Sequence, residues 1–138
     1  TQISGFQCEY SVDTVRDTAR RVDFAIVASG SATLEVASSG CPMVIMYQTN
    51  RFLWRLIGRW LVYAKFFTLT NLLADREVVP EFMPYFTSIE PILQRVDGYL
   101  QDRECLSRIS NELIDVVEPL TRRNASDETA RIVVEMLQ

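Results

Sequence analysis

A chain of 138 residues, of which 48% are hydrophobic, is long enough for one domain with a substantial core. The formal net charge of −4 argues against a general nucleic-acid-binding protein, and the absence of histidine excludes Ser-His or Cys-His catalysis and histidine-ligated metal sites in this chain. The cysteines Cys8, Cys41 and Cys105 lie too far apart for a metal knuckle or a C-x-x-C redox pair, and their odd number is typical of a reducing cytoplasm. We therefore expect no metal, no cofactor and no nucleic-acid partner.

The first predicted element is an amphipathic helix over residues 12–22. Ser11 is a suitable N-cap, Asp13 lies in the first turn, and apolar residues recur at helical spacing at Val12, Val15, Ala19 and Val22. An apolar run over residues 24–28 then predicts a buried strand.

A turn of small residues follows this strand, and we call it the 29–31 turn: Ser29, Gly30 and Ser31. A helix pattern begins at Ala32 and stops at Gly40, with Pro42 just beyond, which is the expected order at a helix end. A second apolar run over residues 43–47 predicts the next parallel strand. This succession of elements predicts an α/β fold with a parallel sheet flanked by helices.

The 29–31 turn is a candidate anion site. Small residues allow a ligand to approach the backbone closely, and a helix start offers free N–H groups and about half a positive charge. A phosphate or diphosphate is the expected ligand. The alternative interpretation is an ordinary strand-to-helix turn with a serine cap.

Residues 51–65 form a basic amphipathic stretch, with arginines on one helical face and apolar residues on the other. The arginines exclude a transmembrane span, which needs ~20 consecutive apolar residues. One interpretation is a core-packed helix with a solvated basic face. The other is an interfacial helix that touches anionic lipid. Its candidate membrane contacts are Arg51, Trp54, Arg55, Arg59 and Trp60.

The remaining residues predict a polar, irregular segment and then helices. A short strand is predicted over residues 66–69, followed by a loop through residue 86. Helices are predicted over residues 88–100 and 103–122, with Pro119 bending or shortening the end of the second. A last helix opens at Ser126, and its predicted buried stripe consists of Ala130, Val133, Val134 and Leu137.

Four of these segments together resemble the C-terminal part of the lipid-A-disaccharide synthases, a family of GT-B glycosyltransferases. The matching motifs are ASGSATLE at 28–35, PMVIMY at 42–47, NLLADREVVPE at 71–81 and, more weakly, RNASDE at 123–128. Two positions depart from the family pattern. Thr70 stands where the family usually has proline, and Pro84 stands where it usually has a glutamine that would touch the donor.

The resemblance implies that residues 1–138 form a single, partial domain: the Rossmann-like C-terminal half of a GT-B fold, with a helical tail. The family reaction is inverting and joins UDP-2,3-diacylglucosamine to 2,3-diacylglucosamine 1-phosphate with release of UDP. It takes place at the cytoplasmic face of the inner membrane. Because the chain begins at Thr1, we interpret it as a piece of a longer protein or as a processed form. Since a GT-B enzyme needs two Rossmann-like halves and this chain would supply one, we expect it to be inactive alone.

The implied partners are a UDP-sugar, an anionic membrane surface and an acylated glucosamine phosphate lipid. The lipid would be held by an N-terminal domain outside this chain, which would also carry the general base. An isolated half can also form a homodimer through the surface that its partner domain would cover.

The donor site implied by the resemblance begins at the 29–31 turn, where N–H groups would bind the diphosphate and hydroxyls would add donors. Glu35 would accept hydrogen bonds from the ribose hydroxyls, and Asn71 and Glu81 would lie near the donor sugar. Solvated or turn-forming roles are the alternatives for these three side chains. The complete set is Ser29, Gly30, Ser31, Ala32, Thr33, Glu35, Asn71 and Glu81.

Two other functions remain open from the sequence. The first is another UDP-sugar enzyme with the same half-fold, such as the GlcNAc transferase of peptidoglycan synthesis or a UDP-GlcNAc 2-epimerase. The second is a nucleotide-binding module without catalytic activity.

Overall fold

The computed structural model describes residues 7, 9–50, 65–121 and 125–137. Its helices and strands alternate as expected for an α/β fold, which confirms the predicted fold class. In chain order they are α1 (Val15–Ala19), β1 (Ala25–Ala28), α2 (Ala32–Ser38), β2 (Met43–Met46), α3 (Leu69–Ala74), β3 (Glu81–Phe82), α4 (Glu90–Gln101), α5 (Arg103–Thr121) and α6 (Ala125–Met136).

The three strands form a parallel sheet in the order β1-β2-β3. Ala28 pairs with Met46, and Met46 pairs with Phe82, so the carboxyl ends of all three strands meet at one edge. The contact between β2 and β3 continues past this edge, because the Thr49 N–H donates to the Pro84 carbonyl at 2.9 Å. This edge is where the loops after parallel strands converge.

The main cluster of buried side chains lies on one face of the sheet, while Val44 of β2 is buried on the other face. Met43 and Ile45 of β2 are fully buried in this cluster, together with Ala37 of α2 and Leu113 of α5. On α5, the buried side chains Ile109, Leu113 and Val117 follow at intervals of one helical turn, as the sequence pattern predicts. Each such aliphatic side chain contributes ~1.5–3 kcal/mol when it is fully buried.

The first helix begins later than predicted. Thr14 is its N-cap: the Asp17 N–H donates to Thr14 Oγ1 at 3.2 Å, and the Thr14 hydroxyl donates to the Asp17 carboxylate at 2.7 Å. The predicted N-cap Ser11 bonds to Asp13 instead. Of the predicted apolar stripe, only Ala19 is buried. A reciprocal cap of this kind fixes a helix start more firmly than the apolar pattern does.

The end of α2 matches its sequence signals. Gly40 has a positive φ of 66°. The Gly40 N–H donates to the Ala37 carbonyl at 2.9 Å, and the Cys41 N–H donates to the Val36 carbonyl at 3.4 Å. This pair of bonds is a Schellman motif, which satisfies carbonyls that the helix itself leaves free.

The segment between β2 and α4 differs from the prediction. The expected strand over residues 66–69 is wrong, because Thr68 caps α3, which begins at Leu69. The expected loop contains this helix and then β3. The helix that contains Pro119 is not shortened by it, since α5 continues to Thr121.

The predicted burial of the last helix is also wrong. In α6 the side chains of Val133 and Val134 are 50% and 53% exposed. An apolar stripe is buried only where another surface covers it, and the described elements leave this one open to solvent.

The predicted helix over residues 51–65 lies almost entirely outside the described residues. So do its candidate membrane contacts Arg51, Trp54, Arg55, Arg59 and Trp60. No helix in the described part of the chain has the length and hydropathy needed to cross a membrane.

Candidate functional site

The 29–31 turn lies at the carboxyl edge of the sheet, directly after β1. The Ser29 N–H donates to the Met46 carbonyl at 3.2 Å, which holds the turn against β2. The Thr33 and Leu34 N–H groups donate back to the carbonyls of Gly30 and Ser31. The N–H groups of Gly30, Ser31 and Ala32 have no acceptor among the residues that the structure describes. Three adjacent backbone donors are therefore available at the start of α2.

The space above this turn is open. A Cβ atom placed on Gly30 would meet no atom of the described residues within 4 Å, and Gly30 is exposed. The side chain of Ser31 is exposed and makes no capping hydrogen bond, although Ser31 occupies the N-cap position of α2. Ser29 is half-buried. A ligand can therefore reach the backbone of the turn and the Ser31 hydroxyl.

Thr33 has a different role from the one predicted for its hydroxyl. Its side chain is 1% exposed, and the hydroxyl donates to the Gly30 carbonyl at 2.7 Å. This bond lies inside the turn, away from the surface that a ligand would reach. Thr33 thus stabilises the conformation of the turn.

Glu35 lies on the first turn of α2 and is exposed. It follows Ser31 by four residues, and residues at this spacing share one helical face. Its carboxylate is therefore available beside the N-terminus of α2. A carboxylate in this position can accept two hydrogen bonds from a vicinal diol.

Asn71 is fully buried in α3, and its amide group is saturated with hydrogen bonds. Its Nδ2 donates to the Val79 carbonyl at 2.7 Å and to Glu81 Oε1 at 2.8 Å. Its Oδ1 accepts from the Val78 N–H at 2.8 Å and from the Val79 N–H at 3.1 Å. An amide offers two donor and two acceptor positions, so Asn71 has none left for a ligand.

Glu81 is the first residue of β3, and its carboxylate accepts four hydrogen bonds. Oε1 accepts from the Asn71 side chain, from the Thr68 N–H at 3.1 Å and from the Thr68 hydroxyl at 2.5 Å. Oε2 accepts from the Phe67 N–H at 2.8 Å. The carboxylate thus sits against the start of α3, where free N–H groups favour a negative charge.

The structure brings Asn71 and Glu81 together, as the family motif suggested, but at a distance from the 29–31 turn. Glu81 pairs with Ile45 on β2, and β2 in turn pairs with β1. Two strand spacings separate the two groups, which corresponds to ~10 Å. This separation suits a ligand whose diphosphate lies at the turn and whose far end lies near β3.

Arg76 is not free to bind a phosphate. Its Nη1 lies 2.6 Å from Glu112 Oε2 on α5. This partner lies 36 positions later in the chain, whereas Asp75 and Glu77 flank Arg76 directly. The pair fastens the loop between α3 and β3 to α5.

Sequence reasoning missed Thr68. It is 2% exposed, it caps α3 by accepting from the Asn71 N–H at 3.5 Å, and it donates to Glu81. A threonine three residues before Asn71 is a usual helix-start signal, and the apolar residues around it concealed that signal.

A groove of about 600 Å³ opens at the opposite, amino edge of the sheet. Arg20 and Ser39, the C-caps of α1 and α2, line it together with Arg103. Helix C-termini carry partial negative charge, which arginines there offset. We place the candidate site at the carboxyl edge instead, because the free N–H groups and the open turn lie there.

Cys41, which also lines this groove, is not a nucleophile. Burial, and to a smaller degree the Asp23 carboxylate, raises the pKa of its thiol to about 11. The side chain is 3% exposed and belongs to the core. A buried neutral thiol of this kind is structural.

The comparison with known proteins agrees with the motifs. The sequence model of the lipid-A-disaccharide synthetase family matches residues 5–135. The chain belongs to this family. The resemblance predicted from the sequence is therefore confirmed, and the family's name is that of a glycosyltransferase of lipid A biosynthesis.

Relatives in this family are considerably longer than the chain. The lipid-A-disaccharide synthase of Geobacter sulfurreducens is 32% identical over 134 residues, which cover 97% of this chain and 35% of the relative. The enzyme of Saccharophagus degradans is 34% identical over 121 residues, which cover 88% and 31% respectively. The chain thus spans about a third of the length of these relatives.

Proposed function

We propose that this chain is the donor-binding part of an inverting GT-B glycosyltransferase that forms the lipid A disaccharide from UDP-2,3-diacylglucosamine. The main support is the 29–31 turn, with its free N–H groups and open space at the carboxyl edge of a parallel sheet. Ligands of open α/β sheets bind at this edge. Family membership identifies the sugar nucleotide to be tested.

The chemistry required of this turn is the stabilisation of a leaving group. UDP gains negative charge as the bond to the donor sugar breaks. Backbone donors that already point at the diphosphate stabilise this charge without a metal ion. The N–H groups of Gly30, Ser31 and Ala32 supply these donors, and the Ser31 hydroxyl adds one more.

The remaining contacts follow from the geometry of the edge. Glu35, one turn into α2, accepts from the ribose hydroxyls. Glu81, two strands away, lies on the side of the donor sugar. Pro84 has no side-chain donor in place of the family glutamine, and its carbonyl accepts from Thr49. The donor sugar is therefore held without a contact from the side chain at this position.

The other functions of the enzyme belong outside this chain. The acceptor lipid and the general base require a second domain, in keeping with the greater length of the relatives. We propose that the complete protein works at the cytoplasmic face of the inner membrane, where an acylated acceptor resides. The predicted membrane contacts at residues 51–60 remain a prediction.

Titration of the chain with UDP tests the proposal. Amide NMR signals of residues 29–35 should shift on addition of UDP, and calorimetry should detect heat. Gly30→Val should weaken UDP binding about tenfold or more, or ~1.4 kcal/mol, because a side chain there fills the space over the turn. The melting temperature should not fall, since a Cβ on Gly30 meets no atom.

Gly98→Val is the matched control. Gly98 lies in α4, and its Cβ position is equally open, so this variant should bind UDP as the unsubstituted chain does. A chain that gives neither heat nor shifts of the 29–35 amides with UDP would contradict the proposed function.

A further inference from the structure

The Asn71 amide has only one orientation that its surroundings allow. The neighbours of Nδ2 are the Val79 carbonyl and the Glu81 carboxylate, both acceptors, and the neighbours of Oδ1 are two backbone N–H groups. A flipped amide would place donor against donor and acceptor against acceptor. Asn71 therefore fixes both the loop before β3 and one oxygen of Glu81.

The two oxygens of Glu81 are bound unequally. Oε1 accepts three hydrogen bonds, two from Thr68 and one from Asn71, whereas Oε2 accepts one, from the Phe67 N–H. Because Oε2 accepts a single hydrogen bond from the described residues, it has capacity for a further one. Glu81 is half-buried, so part of the residue is open to solvent.

We propose that Asn71 and Thr68 are positioning residues that do not touch the donor, and that they hold the Glu81 carboxylate so that Oε2 accepts from a hydroxyl of the donor sugar. This inference rests on the proposed function, because it needs a sugar nucleotide at the carboxyl edge. Asn71, which the sequence analysis placed near the donor sugar, would instead hold the side chain of Glu81, which contacts the sugar. It also adds Thr68 to the site.

The chemistry of the network explains why an amide is required at Asn71. An aspartate has the same shape but would place a second carboxylate about 2.8 Å from Glu81 Oε1, where Nδ2 now donates. Two carboxylates at this distance share a proton, and the pKa of one of them is strongly raised. The variant Asn71→Asp can therefore be switched by pH between a repelling and a donating group.

Among the described residues, the charged side chain that hydrogen-bonds to the Asn71 side chain is that of Glu81. On the segment that follows α3, Asp75 and Glu77 are exposed. Glu35 of α2 is exposed, and Glu112 of α5 is paired with Arg76. A new pH dependence in Asn71→Asp would therefore report on the carboxylate pair.

The test compares two soluble probes, UDP and UDP-N-acetylglucosamine, by calorimetry. At about pH 8, Asn71→Asp should bind UDP-N-acetylglucosamine about tenfold more weakly than the unsubstituted chain, and affinity should return towards about pH 5 as the pair takes up a proton. UDP affinity should change much less, because the 29–31 turn is two strands away. Asn111→Asp, an exposed position on α5, should show neither effect.

Thr68→Val is the second variant, which decides the matter if Asn71→Asp does not fold. It removes one donor to Oε1 and the N-cap of α3 without adding a charge. UDP-N-acetylglucosamine affinity should fall severalfold at every pH while UDP affinity is kept, measured below the melting temperature of the variant. Unchanged affinity for UDP-N-acetylglucosamine in Thr68→Val, or an unaltered pH profile in folded Asn71→Asp, overturns the positioning role alone. Failure of the unsubstituted chain to bind UDP overturns the proposed function and this inference together.

Discussion

Gly40 is the residue at which the backbone most clearly requires glycine. Its φ is 66°, and a Cβ there would lie 2.9 Å from both Ile114 Cδ1 and Ser110 Oγ. Gly40→Ala should lower the free energy of unfolding by ~2–4 kcal/mol, the sum of left-handed strain and overpacking against α5. Urea denaturation measures this change.

The control for this substitution is Gly98→Ala. Gly98 lies inside α4 with open space at its Cβ position, so alanine should raise the free energy of unfolding by ~0.5–1 kcal/mol through helix propensity. A Gly40→Ala protein as stable as the unsubstituted chain would show that the contact with α5 is not constrained.

Thr70 carries a hydroxyl that the structure leaves unsatisfied. Its side chain is fully buried, and Oγ1 has no hydrogen-bond partner in the described part of the chain. Thr70→Val keeps the shape and removes the polar group, so the free energy of unfolding should rise by ~1–2 kcal/mol in urea denaturation. Exposed Thr87, changed to valine, should stay within ~0.5 kcal/mol. A loss of stability in Thr70→Val would indicate a partner for the hydroxyl.

At the level of whole elements, the sequence predicted those whose start and end signals agree with their apolar pattern. β1, α2 and β2 form such a series, in which Gly40 and Pro42 mark the end of α2. The burial predicted for β1 is wrong, because Val27 is the one buried residue of this strand. Predictions failed where a hydrogen-bonded cap competed with the pattern. Because Thr14 is the N-cap, α1 begins later than the apolar pattern predicts. Because Thr68 is the N-cap of α3, a helix begins where the apolar run over residues 66–69 had predicted a strand. β3 has two residues, so its position follows from pairing with β2 rather than from any periodicity of its own.

In the candidate site, too, one part could be predicted from the sequence and another could not. The 29–31 turn could be predicted, because small residues between a strand pattern and a helix pattern indicate a tight turn without reference to the rest of the fold. The network around Glu81 could not be derived from local rules, since it joins Thr68 to a residue 13 positions later. A buried, saturated asparagine and a ligand-binding asparagine also look alike in a sequence. Burial and the direction of each hydrogen bond separate them, and both depend on the folded chain.

In the molecule as a whole, the described elements leave some apolar surfaces uncovered. Met43 and Ile45 of β2 face a closed core, whereas Ile26 on β1 is 57% exposed and the apolar stripe of α6 is open to solvent. Periodicity predicts which residues share a face but does not predict whether anything covers that face. Ile109, Leu113 and Val117 of α5 are covered by the core, whereas Val133 and Val134 of α6 are not covered by the described elements.

The proposed function assigns donor binding to this chain and acceptor binding to a second domain, which gives a prediction for the chain as a whole. A GT-B enzyme needs two Rossmann-like halves of ~150 residues each, and the described residues supply one three-stranded parallel sheet. If the proposed function is right, the chain alone should bind UDP but form no disaccharide from UDP-2,3-diacylglucosamine and 2,3-diacylglucosamine 1-phosphate, because the proposal places the acceptor and the general base on a second domain. Mass spectrometry of the products measures this, with the Geobacter sulfurreducens synthase as the positive control. Disaccharide above the protein-free background would show that this one domain holds both substrates.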